Sequence, residues 1–147
     1  MILDVQFNAT TTSWPAILDG ALAAEVAGFG ALWVFDHLAG SSLGGTTSLE
    51  MFTLLGALAA STERIPLGAM VANVYNREPG VLGVGAASVE AIGGHRPVLL
   101  GIGAGASPTS RWAAEQHAAG HRMDAELDDR HARVETVLEL CSTMWSP

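Results

Sequence analysis

Four short runs of nearly continuous apolar residues punctuate the chain: Ile2–Phe7, Ala31–Phe35, Ile65–Val71 and Pro97–Ile102. They begin at residues 2, 31, 65 and 97, so at intervals of 29, 34 and 32 residues. That interval suits a strand plus a crossover helix, not a hairpin. Unbroken apolar character, without polar alternation, predicts parallel strands covered on both faces.

Helical stretches fill the intervals. Ser13 is placed to cap a helix with Pro15 in its first turn, ending at Gly28. A second helix is expected from about Leu49 to Ala60, and a third from Pro79 to Ile92 before Gly93-Gly94. A last one is expected from Ala125 to Trp145, with Leu127, Val134, Leu138, Cys141 and Trp145 as its apolar stripe. The segment Ser107–Gly120 reads as a loop carrying a short helix at Arg111–Ala118. The expected fold is α/β of the TIM (β/α)8-barrel type, with residues 1–147 forming about four βα units, a half barrel. A complete barrel usually needs about 250 residues. Half a barrel exposes two strand edges and an apolar inner face, so the expectation is a missing second half, a homodimer or a marginally stable fragment.

Composition narrows the function. Hydrophobic residues make up 49% and charged residues 15% of 147 residues, enough for a packed core. Fifteen acids face 7 basic residues, and all seven are arginine. Without lysine there is no P-loop lysine, Schiff-base lysine or lysine base. A net charge of −8 without a basic stripe argues against nucleic acid as a partner. Cys141 is the only cysteine, so no internal disulfide or thiolate cluster can form. No signal-like start and no membrane-length apolar run is read, so a cytoplasmic protein is expected.

In βα folds chemistry gathers beyond the carboxyl ends of the strands. After the second strand stand Asp36 and His37. An imidazole there can exchange a proton near neutral pH or hydrogen-bond a cofactor ring; alternatively Asp36 caps a loop and His37 is an ordinary half-exposed histidine. After the third strand come Asn73, Tyr75, Asn76 and Arg77, polar groups suited to a ring edge or an anion, or simply to turn chemistry. After the fourth comes Gly101-Ile102-Gly103-Ala104-Gly105-Ala106-Ser107, whose glycines let backbone approach a ligand. Gly101, Gly103 and Ala106 match the dinucleotide fingerprint in spacing, but a Pro-Ser-Thr loop follows where a helix should open. His117 and His121 have the spacing of helical metal ligands with no third ligand, so no metal site is expected.

Three stretches taken together resemble one family. They are Gly28-Phe29-Gly30-Ala31-Leu32-Trp33-Val34-Phe35-Asp36-His37-Leu38, then Leu58 to Gly68 through Ser61-Thr62-Glu63-Arg64-Ile65-Pro66, and Gly93-Gly94-His95-Arg96-Pro97 to Gly105. In order and coverage they are similar to the bacterial luciferase-like monooxygenases and their deazaflavin-dependent relatives. The resemblance implies an oxidoreductase acting on a small organic substrate, by hydride transfer or monooxygenation. Its cofactor would be coenzyme F-420, with FMN as the alternative. It implies catalytic roles for His37 and Asp36. It implies cofactor contacts from Ala69 and Met70, where a non-proline cis peptide is expected, from Asn73 and Asn76, and from Gly103, Ala104, Gly105 and Ser107. Ala106 stands where some deazaflavin relatives carry a glutamate acid. The family's phosphate-binding loops come largely from the second half of the barrel. A non-catalytic half-barrel or assembly subunit is the competing expectation.

Overall fold

A computed structural model describes residues 1–146. Four strands, β1 (Val5–Phe7), β2 (Leu32–Val34), β3 (Leu67–Asn73) and β4 (Val98–Gly103), form one sheet in the order β1-β2-β3-β4. Every neighbouring pair is parallel. The connections are helices α1 (Trp14–Ala27), α2 (Met51–Ser61) and α3 (Pro79–Ile92), with short α4 (Ala114–Ala118) and long α5 (Leu127–Trp145) after β4. These are the four βα units with parallel strands that the spacing of apolar runs predicts.

The register sorts side chains by face, because successive residues of a strand point to opposite sides. Val5, Leu32, Leu67 and Val98 share one row, and Phe7, Val34, Ala69 and Leu100 another. Leu32, Val34, Leu67 and Ala69 are fully buried under the helices, against Ile17, Leu55, Leu58 and Leu82. Burying each such aliphatic side chain contributes roughly 1.5–3 kcal/mol. The intervening row, Gln6, Trp33, Gly68 and Leu99, lies on the opposite, open face. There the indole of Trp33 lies so close over β3 that a Cβ at Gly68 would stand 2.5 Å from its ring. Trp33 Nε1 donates to Asp4 Oδ2 at 2.9 Å, and Gln6 Nε2 donates to the Met70 carbonyl at 3.0 Å.

Several details depart from the sequence reading. Residues 2–4 lie outside β1, and β3 runs on to Asn73 through a register shift between Ala69 and Ala72. The cis peptide is Met70–Val71, one residue beyond the expected place. Ser13 has the extended backbone of a helix cap, but its hydroxyl makes no capping bond. The stripe assigned to α5 holds only in part: Cys141 is buried and Val134 packs against the core, but Leu127, Leu138 and Trp145 are exposed, and Arg130 and Val137 are buried instead. Apolar spacing could not indicate Arg130, a charged residue that is buried with its Nη1 donating to the Asp124 and Ala125 carbonyls. No helix among the described residues is long and apolar enough to cross a membrane.

Candidate functional site

At the carboxyl ends of β2, β3 and β4 the loops enclose a cleft of about 560 Å³. Its floor is apolar: Met70 and Val71 are 45% and 44% exposed at the bulge of β3. Gly103 to Ala106 form one wall, and Phe35, Leu43 and Trp112 complete the apolar lining. A Cβ at Gly103 would stand 2.6 Å from a Val71 methyl, so the bare backbone of β4 and the Val71 side chain meet in close contact. Polar groups enter from Asp36, His37, Asn73 and Glu115.

His37 is held rather than free. Its Nδ1 lies 2.7 Å from Glu115 Oε1, and its ring packs edge-on against Phe35 with centroids 5.1 Å apart. The His37 side chain keeps 26% exposure while that of Glu115 keeps 4%. Glu115 reaches this place from α4, and its Oε2 also accepts the backbone N–H groups of Leu38 and Ala39 at 3.0 and 2.9 Å. One carboxylate therefore clasps the loop after β2 and pairs with its histidine. Sequence reasoning missed Glu115, 78 residues from His37 along the chain.

A buried amide chain backs the dyad. Asn76 Nδ2 donates to the Asp36 carbonyl at 2.8 Å, and Asn76 Oδ1 accepts Gln116 Nε2 at 3.0 Å. The same Gln116 nitrogen donates to Glu115 Oε1 at 3.1 Å. Asn76 thus stands behind the cleft wall, not in the cleft; its two amide atoms are spent on this chain. Asp36 lines the cleft, yet its Oδ2 accepts Arg77 Nη1 at 2.6 Å and the Asn73 N–H at 2.9 Å. Arg77 also pairs with Glu50, which caps α2 through the Thr53 N–H at 2.7 Å. Burial pulls the Arg77 guanidinium down, but the Asp36 and Glu50 carboxylates outweigh it and hold its pKa above the ordinary value. For Glu50, burial pushes the carboxyl up, but the Thr53 N–H, Arg77 and the Thr53 hydroxyl hold it below its usual range.

Of the other sequence candidates, Met70, Asn73, Gly103, Ala104 and Gly105 line the cleft. Ala69 does not: its register with Val34 and Leu100 turns it into the helix-covered core. Ser107 lies beyond the lining residues, its hydroxyl 3.2 Å from that of Thr109. His117 Nε2 lies 2.9 Å from the Pro108 carbonyl.

The fold matches solved structures over most of this chain and less than half of theirs. A coenzyme F-420-dependent tetrahydromethanopterin reductase from Methanopyrus kandleri is 22% identical with a TM-score of 0.61, covering 81% of this chain and 30% of its own. An EDTA monooxygenase from Chelativorans sp. is 19% identical with a TM-score of 0.77, covering 99% and 38%. The FMN-bound oxygenating constituent of 3,6-diketocamphane monooxygenase from Pseudomonas putida is 21% identical with a TM-score of 0.69, covering 99% and 40%. These likenesses establish the architecture, part of a TIM-barrel-type fold. The family model described as luciferase-like monooxygenase matches residues 3–147, and the chain belongs to that family.

Proposed function

We propose that this chain supplies one wall of the redox site of a flavin- or deazaflavin-dependent oxidoreductase, with coenzyme F-420 favoured over FMN. The observation that carries the reading is the cleft at the strand tips: an apolar floor, a side-chain-poor glycine wall and one tethered imidazole. A planar tricyclic ring suits that shape, because its faces need apolar contact and its edge needs a few directed polar groups. The residues fit it: Met70 and Val71 offer exposed apolar surface, and Gly103 lets the β4 backbone lie directly against the Val71 side chain.

The bound ring would supply hydride or oxygen chemistry; the protein orients it and excludes water. Among this chain's residues, His37 holds or moves a proton at the cleft. Asn73 presents its side chain there, and Asp36 acts indirectly by fixing Arg77 and the start of the loop after β3. The cofactor's phosphate needs oriented donors. Arg77, the cation nearest Asp36, is already spent on two carboxylates. The family resemblance assigns phosphate binding to a complementary half barrel, from a second copy or a separate segment.

The open sheet face supports a second reading, an assembly subunit without activity of its own. Leu99, Met70 and Val71 are exposed there, and β1 and β4 are edges. One experiment separates the two. F-420 and FMN are titrated into protein of measured size, with cofactor fluorescence as the readout. Saturable quenching by F-420, stronger than by FMN, supports the redox site. An assembled protein that binds neither ring leaves only the subunit role.

A further inference from the structure

We propose that Glu115 is a positioning residue that locks the His37 imidazole with its proton on Nδ1, so that an unprotonated Nε2 is offered to the cleft as a hydrogen-bond acceptor. The inference deepens the proposed site and rests on that reading only for what the imidazole faces.

The argument runs inward from two backbone anchors whose polarity cannot change. At one end the Asp36 carbonyl can only accept, so the Asn76 amide must turn its NH2 toward it. Asn76 Oδ1 then faces Gln116, which must answer with its own NH2, and that nitrogen also reaches Glu115 Oε1. At the other end the Leu38 and Ala39 N–H groups can only donate, and both point at Glu115 Oε2. Both carboxylate oxygens are thus fixed as acceptors. The 2.7 Å contact with His37 Nδ1 is then satisfied only if the imidazole donates. Burial of Asn76, Gln116 and Glu115 denies water the chance to rearrange the chain. His37 Nε2 makes no hydrogen bond to the described residues, and the ring lines the cleft. A neutral His37 therefore accepts a proton from a cleft ligand, and once protonated returns it from the same nitrogen.

The test is tautomer assignment by long-range proton–nitrogen NMR on 15N-labelled protein, at a pH where the His37 ring is neutral. His37 is one of five histidines; its signals are those missing from His37→Asn. The expected pattern is a protonated Nδ1 and an unprotonated Nε2. A proton on Nε2, or a mixture of the two forms, overturns the proposal. In Glu115→Gln the amide oxygen must stay with the Leu38 and Ala39 N–H groups. Its NH2 then faces Nδ1 and drives the His37 proton to Nε2; an unchanged pattern overturns the proposal. If Glu115→Gln does not fold, the unmodified protein alone decides. Neither arm contains a cofactor, so failure of ring binding leaves this result standing, and a reversed tautomer leaves ring binding untouched.

Discussion

Two glutamates clasp loops at opposite ends of the sheet by the same device, consecutive backbone N–H groups on one carboxylate. At the amino-terminal end, Glu25 of α1 accepts the N–H groups of Glu63, Arg64 and Ile65 at 3.0, 2.6 and 2.9 Å, tying down the entry to β3. At the carboxyl-terminal end, Glu115 accepts those of Leu38 and Ala39. The difference lies in the rest of the carboxylate. Glu25 spends its side-chain contacts on main chain near the surface, whereas Glu115 is buried and hands its second oxygen to a histidine and an amide chain. The first clasp serves the fold alone. The second couples loop geometry to a titratable side chain at the cleft, which suits a barrel whose chemistry sits at strand tips.

Three substitutions put that contrast at risk. Glu115→Ala is expected to be the most destabilising, by about 2–4 kcal/mol, because it strands two backbone N–H groups and one buried amide. Chemical denaturation measures this; a loss under 0.5 kcal/mol would mean that water takes over the clasp. Glu25→Ala should lose about 1 kcal/mol, the usual scale for a capping carboxylate, and the loss should depend on pH. Burial pushes the Glu25 carboxyl up, but the Arg64, Ile65 and Glu63 N–H groups, with the charge of Arg64, together hold it below its ordinary value of 4.5. A depressed carboxyl stabilises the fold fully above its unfolded pKa and loses that contribution as pH falls through the folded value. The gap between parent and variant should therefore be full above pH 4.5 and shrink in more acidic solution. A gap that is flat from neutral pH to acid would remove the electrostatic explanation. His37→Ala should cost the least stability, under about 1 kcal/mol, since the half-exposed ring gives up one hydrogen bond. On the proposed function, it should also abolish turnover by the assembled protein. Unfolding by this variant would make His37 a structural residue.

The sequence reveals the fold more readily than the site, for a physical reason. Strand spacing and apolar runs are local patterns, and α3 begins and ends where Pro79 and Gly93 indicate. His37 and the glycine wall are legible because the ends of strands are legible. Glu115 is not. Its short helix at 111–118 can be read, but nothing in Ala114-Glu115-Gln116-His117 indicates a partner on the loop after β2. The same limit explains Asn76, whose residue type suits ring binding and whose burial behind the wall depends on Gln116, 40 residues away. On α5 the apolar pattern indicates Cys141 but not Arg130, a charged residue that is buried.

The vacancy at Gly68 has an optical consequence. With no side chain beneath it, the Trp33 indole packs against the backbone of β3 on the uncovered face, tethered by its N–H to Asp4. Whatever closes over that face must dehydrate this ring, so a blue shift in the part of the tryptophan emission that Trp33→Phe removes would register closure without any label.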